Sequence, residues 1–248
     1  MIHDIQLLSQ TLDAEFADLT PLGRLTRLAD AVKGRLVFTT SLGLEDQMLT
    51  HLIFRNALPI EVVTLDTGRL FPETYALWRE TEEKYGRRIR AKYPQADALE
   101  ALIEDQGIDG FYFGSDMRHA CCGVRKVEPL KRALEGATGW VTGLRADQSA
   151  NRQGMDFVSF DPQRQLIKAN PLFDWSRDRI KVFNEDNGVP VNALHAKGFL
   201  SIGCAPCTRA IKPGEPERAG RWWWEDEARK ECGLHVPDAG QVSAGGGI

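Results

Sequence analysis

The segment RLVFTTSLGLEDQMLTHLIFRN, residues Arg35–Asn56, is the clearest indication of the fold class. It opens with a short apolar run typical of a buried strand, Arg35–Thr39, and passes through the turn Thr40–Gly43. A helical pattern then runs from Leu44 to Asn56. A strand that leads directly into a helix is the first half of a βαβ unit.

The same alternation continues along the chain. The apolar run Ile60–Leu65 predicts a second strand, and the pattern from about Phe71 to Tyr85, closed by Gly86, predicts the following helix. The other predicted elements are helices over Ile2–Leu19, from Thr20-Pro21 to just before Gly34, and around Ala98–Asp105, and strands over Arg88–Lys92 and Trp140–Thr142. The predicted fold class is therefore α/β, a mostly parallel sheet with helices on both faces.

Length and composition bound the class of protein. With 248 residues, 42% of them hydrophobic, the chain can bury the core of one large domain. Its 31 basic and 35 acidic side chains give a net charge of −4, which disfavours binding to a nucleic-acid backbone. No apolar run approaches the roughly 20 residues of a membrane span, and the N-terminus lacks a signal-peptide profile. We therefore expect a cytoplasmic protein that binds neither membrane nor nucleic acid.

A stretch rich in glycine and proline, Lys212–Pro216, predicts a hinge near the C-terminus. It divides the chain into an α/β domain with N-terminal helices, residues 1–212, and a C-terminal segment, residues 213–248, which we expect to be mobile. The composition after about residue 238, which includes Ser243–Gly247, predicts a disordered tail.

Two turns that follow predicted strands are candidates for anion binding, Ser41–Asp46 and Leu65–Gly68. Ligands of open parallel sheets bind beyond the carboxyl ends of the strands, where backbone N–H groups and a helix dipole can hold phosphate or sulfate. The first turn is not a Walker A loop, because no Gly-Lys-Ser/Thr follows it.

For either turn alone the alternative is simple capping, in which Ser41 caps the helix and two acidic side chains complement its dipole. Both turns together, beside the cysteine motifs described next, favour an anion site. The candidate residues are Ser41, Gly43, Glu45, Asp46, Leu65, Asp66, Thr67 and Gly68.

The five cysteines fall into three groups. Cys121 and Cys122 are adjacent, Cys204 and Cys207 frame the motif Cys-Ala-Pro-Cys, and Cys232 stands alone. An odd number without an export signal disfavours a disulfide framework. Four thiols in two clusters indicate one metal site. An adjacent pair of cysteines is easier to accommodate in an iron–sulfur cluster than at a zinc ion, because the ligands of a cluster bind separate iron atoms. A zinc site and unrelated buried thiols remain alternatives.

Cys-Ala-Pro-Cys is also similar to a thioredoxin-type redox pair. Such a pair normally opens a helix early in a small βαβ domain, whereas Cys204 and Cys207 lie close to the end of the chain. Their position favours the interpretation as metal ligands and leaves Cys232 for chemistry.

From Gly34 to His235 the chain resembles the assimilatory adenylyl-sulfate (APS) reductases of the phosphoadenylyl-sulfate (PAPS)/APS reductase family. The combination of paired cysteines with Glu-Cys-Gly-Leu-His near the C-terminus is highly specific. The matching motifs, in order, are Ser41–Asp46, Leu65–Gly68, Cys121-Cys122 with Lys126, Gly143–Ser149, Ser201–Cys207, Gly220–Glu225 and Glu231–His235.

The resemblance implies the ATP-pyrophosphatase (adenine nucleotide alpha hydrolase-like) fold. The loop of that superfamily typically begins Ser-Gly-Gly, and Leu42 replaces its first glycine, which disfavours ATP cleavage. The implied reaction is the reduction of adenylyl sulfate to sulfite and AMP, with thioredoxin as donor, in sulfate assimilation and cysteine biosynthesis. The four paired cysteines, Cys121, Cys122, Cys204 and Cys207, would hold a [4Fe–4S] cluster.

The resemblance also implies roles for further residues. Cys232 is the expected nucleophile, which would carry an S-sulfocysteine intermediate, and His235 could help to provide the cationic setting that a thiolate needs. The residues expected to bind the phosphosulfate, besides the two turns, are Lys126, Gly143, Arg145, Arg152, Arg218 and Arg221. Guanidinium groups suit such oxyanions.

Two other functions stay open at the level of sequence. One is a PAPS reductase, in which the 3′-phosphorylated nucleotide is the natural substrate. The other is a non-catalytic nucleotide-binding protein with a four-cysteine metal site and no chemistry at Cys232. The sequence leaves the oligomeric state open, a homo-oligomer included.

Overall fold

A computed structural model describes residues 2–148 and 154–225 of the chain. The strands are β1 (Arg35–Thr40), β2 (Ile60–Leu65), β3 (Arg90–Lys92), β4 (Ala137–Val141), β5 (Val158–Asp161) and β6 (Leu166–Ala169). The α-helices are α1 (Ile2–Phe16), α2 (Pro21–Ala31), α3 (Leu44–Arg55), α4 (Pro72–Tyr85), α5 (Ala96–Gln106), α6 (Ser115–Cys122), α7 (Glu128–Leu134) and α8 (Arg177–Asp186).

Within the described residues the strands form one sheet in the order β3-β2-β1-β4-β6-β5. All neighbouring pairs are parallel except β5 and β6, which form an antiparallel edge. Strand β1 lies at the centre, with Phe38 paired to Val62 of β2 on one side and to Val141 of β4 on the other. The prediction of a mostly parallel α/β sheet is confirmed.

Helices cover both faces of the sheet because the side chains of a strand alternate in direction. Leu36 and Phe38 of β1 belong to the larger core, which α1, α2, α3 and α8 close. Val37 between them belongs to a second core on the opposite face, where Leu130 of α7 packs. This arrangement leaves the carboxyl ends of the central strands uncovered by helices of the two layers.

Several element boundaries differ from the predicted ones. Helix α1 ends at Phe16 instead of Leu19, because the chain turns there before α2 begins. Strand β3 begins at Arg90, since the backbone N–H of Ile89 donates to Glu82 Oε1 (2.9 Å) instead of to a strand. The antiparallel pair β5 and β6 was not predicted.

The stretch Lys212–Pro216, predicted to be a hinge, forms a hydrogen-bonded turn. Glu215 accepts two hydrogen bonds from the Arg209 guanidinium (2.8 and 3.0 Å) and one from the backbone N–H of Lys212 (2.8 Å). On either side of the turn, Thr208 and Arg221 pair as an antiparallel bridge. Residues 213–225, the described part of the predicted C-terminal segment, are therefore packed against the α/β domain.

None of the described helices is both long and apolar enough to cross a membrane.

Candidate active site

A cavity lies at the sheet edge where β1, β2 and β4 end. Thr40 of β1 pairs with Thr64 of β2, so the turns that follow these strands start side by side. The predicted residues that line the cavity are Ser41, Glu45, Asp46, Leu65, Thr67, Lys126, Gly143, Arg218 and Arg221. The structure thus brings together both predicted anion turns, the lysine after the paired cysteines and two of the predicted arginines.

The first turn is built around Asp46. Its Oδ2 accepts hydrogen bonds from the backbone N–H (2.6 Å) and the hydroxyl (2.7 Å) of Ser41. The alternative interpretation proposed that Ser41 caps helix α3. The structure shows that it does not. The cap residue is Gly43, and among the described side chains none caps this terminus. The first N–H groups of α3 are consequently not used by a capping side chain.

The second turn is held by Asp66, which does not line the cavity. Its Oδ1 accepts hydrogen bonds from the backbone N–H of Gly68 and from the hydroxyl of Tyr75, both at 2.8 Å. Gly68 has a φ of 69°, in the left-handed region that favours glycine. These contacts fix the shape of the turn, so that Leu65 and Thr67 face the cavity.

One wall of the cavity is acidic. Asp46 is buried, with 8% of its surface exposed, and burial raises its pKa to about 6 although the hydrogen bonds from Ser41 oppose the shift. Gly143 packs directly on this carboxylate, since a Cβ atom there would overlap Asp46 Oδ1. Glu45 lies beside it on the same wall. This wall favours neutral or hydrogen-donating groups of a ligand over anionic ones.

The raised pKa of Asp46 predicts how the stability of an Asp46→Asn variant changes with pH. A carboxyl group whose pKa is about 6 when folded and 3.8 when unfolded stabilises the protein at low pH, and this stabilisation is lost as pH rises through 6. The Asp46→Asn variant lacks that titration. We expect its stability relative to wild type to increase by roughly 1 kcal/mol between pH 5 and pH 7.5. Urea unfolding of both proteins at the two pH values measures the difference; an equal difference at both would contradict the assignment.

Arg145, which the resemblance implies to bind the substrate, is not among the residues that line the cavity. Its guanidinium is fully buried and contacts Glu45 (2.7 Å), Glu217 (2.8 and 3.0 Å) and Asp147. Arg177 also approaches Glu217 at 3.4 Å. Arg145 therefore joins Glu45, at the N-terminus of α3, to Glu217, in the segment that follows α8. Sequence reasoning missed Glu217, which is a cavity residue.

The residues after Glu217 form the cationic wall. Arg218 and Arg221 line the cavity, and the Arg221 guanidinium lies against Gly203, where any Cβ atom would overlap it. Trp222 is 1% exposed, and the guanidinium groups of Arg118 and Arg221 each lie 4.7 Å from its ring. The Nε of Arg221 has no hydrogen-bonding partner among the described residues. A ligand anion at this wall would meet two guanidinium groups.

The four paired cysteines meet in a second, smaller cavity next to the first. Cys122, Cys204 and Cys207 are buried, and Cys121 packs against them. Cys121 and Cys122 end helix α6, whereas Cys204 and Cys207 flank a short turn. The turn is tied to the anion site, because Thr67 Oγ1 lies 3.3 Å from Cys204 Sγ.

The donor set of this cavity fits an iron–sulfur cluster. Four thiols surround it, and Arg125 Nε and Trp222 Nε1 are buried donors without a partner among the described residues. Cluster sulfides would accept such hydrogen bonds. No three His, Cys, Asp or Glu residues in the described part of the chain are arranged to hold a metal ion, so the fit rests on the chemistry of the donors and not on their spacing. Burial raises the pKa of Cys207 to about 12, so without a metal it is a thiol at neutral pH.

Lys126 connects the two cavities. It lies in the π-helical turn Gly123–Val127, directly after the cysteine pair, and lines both the larger cavity and the cysteine cavity. An ammonium group in this position can interact with anions on either side. Arg152, Cys232 and His235 lie outside the described residues, so their predicted roles rest on the sequence.

Comparison with protein families gives the class to which this fold and site belong. Residues 35–210 match the phosphoadenosine phosphosulfate reductase domain. This match covers both turns, Lys126 and the four paired cysteines. The chain belongs to this family of reductases, and the resemblance drawn from its motifs is confirmed.

Similarity to individual proteins gives a narrower class of reductase than the family match does. The chain is 54% identical to an adenosine 5′-phosphosulfate reductase of Agrobacterium fabrum, over 94% of this chain and 89% of that protein. It is 50% identical to one of Allochromatium vinosum, over 89% and 85%. The solved PAPS reductase of Candida auris, a phosphate complex, has a TM-score of 0.69 at 26% identity and covers 82% of this chain and 96% of that one. The protein is accordingly an oxidoreductase.

Proposed function

We propose that the protein reduces adenylyl sulfate to sulfite and AMP in assimilatory sulfate reduction, with Cys232 as nucleophile and a thioredoxin as electron donor. The main support for the proposal is that the anion cavity and the cysteine cavity share a wall. Lys126, Cys204 and Trp222 line both the anion cavity and the cysteine cavity. A phosphosulfate bound at the strand ends would lie beside the four thiols.

The acidic residues support adenylyl sulfate over its 3′-phosphorylated form. Glu45, Asp46 and Glu217 line the cavity, whereas its cationic residues are Lys126, Arg218 and Arg221. One phosphosulfate can bind at the cationic wall. A second phosphate would add negative charge to a partly buried site that already holds three acidic side chains, of which Asp46 forms no ion pair within the described residues while Glu45 and Glu217 share Arg145. The names of the bacterial relatives agree with this choice.

The proposed reaction has two displacements at sulfur. The thiolate of Cys232 attacks the sulfate sulfur, the bond from that sulfur to the phosphate oxygen breaks, and AMP leaves with the electron pair. A thiolate of the donor then attacks Cys232 Sγ, so that sulfite leaves with the electron pair of the S–S bond. The second donor thiol resolves the mixed disulfide, and the dithiol, oxidised to a disulfide, supplies the two electrons.

The residues of the cavity would bind and orient the substrate. Arg218 and Arg221 would hold the phosphate and sulfate oxygens and stabilise the charge that develops on the leaving phosphate. The N–H groups at the start of α3, which follow Gly43, offer further donors. Asp46 and Gly143 would form the end of the cavity that accepts the uncharged part of the nucleotide.

For the cofactor, we infer that Cys121, Cys122, Cys204 and Cys207 hold a [4Fe–4S] cluster. Bound there, the cluster would join two distant segments of the chain and supply charge beside the anion site. Arg125 supports the inference, since its Nη1 donates to the backbone carbonyl of Thr67 (2.6 Å) while its Nε faces no protein acceptor among the described residues. Thiol displacement at Cys232 requires no electron from this group.

The test is intact-protein mass spectrometry after anaerobic incubation with adenylyl sulfate and no thioredoxin. We expect the mass of one sulfonate on Cys232, removed when reduced thioredoxin is added. An adduct only with the 3′-phosphorylated nucleotide would make the protein a PAPS reductase. An iron-replete protein that forms no adduct with either nucleotide would support the non-catalytic alternative.

A further inference from the structure

Four exposed apolar side chains belong to two short segments, residues 108–113 and 222–224, that contribute Phe111 and Trp222 to the cysteine cavity. Their exposed fractions are 61% for Ile108, 38% for Tyr112, 80% for Phe113 and 39% for Trp223. We call these four residues the aromatic patch. Aromatic side chains gain free energy when they are buried, and a group of them left in solvent is typical of a surface that binds a protein.

Hydrogen bonds and ring contacts hold Ile108, Tyr112 and Trp223 of the patch in place. The Tyr112 hydroxyl donates to the backbone carbonyl of Pro206 (2.7 Å), inside the Cys-Ala-Pro-Cys motif. The Tyr112 ring lies 6.4 Å from that of Trp223 and 4.5 Å from that of Trp224. The preceding turn is held by Arg69, which donates to the Ile108 carbonyl (2.5 Å). A preformed surface of this kind loses little conformational entropy on binding.

The patch also lies where the described chain ends. The last described residue, Glu225, is anchored by Arg118, whose buried guanidinium donates to both carboxylate oxygens (2.6 and 2.8 Å). Cys232 follows seven residues later in the sequence. Seven residues span at most about 25 Å, so a protein that attacks Cys232 must dock within that distance of Glu225. Trp223 is only two residues from the anchor.

We propose that the aromatic patch is the docking surface for the dithiol protein that reduces the enzyme. The inference rests on the proposed function, which requires such a protein to reach Cys232. Aromatic residues are enriched among those that dominate binding energy at protein interfaces. Four side chains cannot bury the roughly 1,600 Å² of a standard stable interface, but they suit the short-lived contact of a redox encounter, which must dissociate in every turnover.

The test is Phe113→Ser, with Leu7→Ser as its matched control. Leu7 is an exposed apolar residue (58%) of α1, a helix that packs on the edge strand β5. We expect the KM for a bacterial thioredoxin to rise at least about tenfold in the Phe113→Ser variant and to stay unchanged in the Leu7→Ser variant. In both variants the rates of Cys232 sulfonation by adenylyl sulfate, and of discharge by dithiothreitol, should be those of wild type.

Each other outcome overturns the proposal. An unchanged KM for thioredoxin means that the partner docks elsewhere. Equally slow discharge by dithiothreitol means that Phe113 acts through the fold. A change in oligomer mass by light scattering, with an unchanged KM, assigns the patch to a second copy of the chain. If wild type forms no sulfonate at Cys232, the proposed function fails, whereas sulfonation without the KM effect removes only the docking surface.

Discussion

Replacement of Cys232 by serine is expected to lower sulfite release at least about 1,000-fold. A serine hydroxyl is almost entirely protonated at neutral pH, whereas a cysteine in a cationic setting forms the thiolate that attacks sulfur. The variant also has no atom on which the donor can discharge a sulfonate. The measurement is sulfite release in the presence of saturating adenylyl sulfate and thioredoxin.

The matched control for this variant is Cys204→Ser. Cys204 lies in the cysteine cavity next to Thr67, so its loss should remove both the iron content and the activity. The Cys232→Ser variant should keep its iron, its visible absorption and its affinity for AMP. Loss of iron from the Cys232→Ser variant would show that the roles of the five cysteines have been divided wrongly.

The anion cavity was predictable because strand direction fixes where the ends of strands meet. The segments Arg35–Thr40 and Ile60–Leu65 are apolar enough to be recognised, and parallel pairing then brings Ser41 and Asp66 to one edge. The antiparallel pair β5 and β6 was not recognised, since the predicted pattern was an alternation of strands with helices and these two strands form a hairpin with no helix between them.

The contacts of Arg145 show that ion pairs between residues distant in the sequence could not be predicted. Its motif predicted a residue that binds the substrate, yet the guanidinium is fully buried among carboxylates. The decisive partner, Glu217, lies 72 positions away in a segment that composition predicted to be mobile. Pairing between distant charges depends on how the segments pack, and no local spacing encodes it. Arg118 and Glu225, 107 positions apart, give a second example.

Replacement of Arg145 by methionine is therefore expected to destabilise the protein by about 3–5 kcal/mol. Methionine fills much of the same volume but leaves the buried Glu45 without a cation and the half-buried Glu217 with only its longer contact to Arg177 (3.4 Å). Because Arg145 holds Glu217, the neighbouring Arg218 should also lose its position in the cavity. Urea unfolding measures the first effect, and calorimetric titration with AMP measures the second, as a weaker affinity.

The double variant Arg145→Met/Glu217→Gln distinguishes the ion pair from a direct role in substrate binding. Removing the uncompensated carboxylate should recover part of the lost stability, because the cost of the single variant arises from an unpaired buried charge. Glu217→Gln alone should cost less than Arg145→Met, since Arg145 keeps Glu45 and Asp147 as partners. If Arg145→Met weakened AMP binding but left the unfolding free energy within about 1 kcal/mol of wild type, the guanidinium would act on the ligand instead of on the fold.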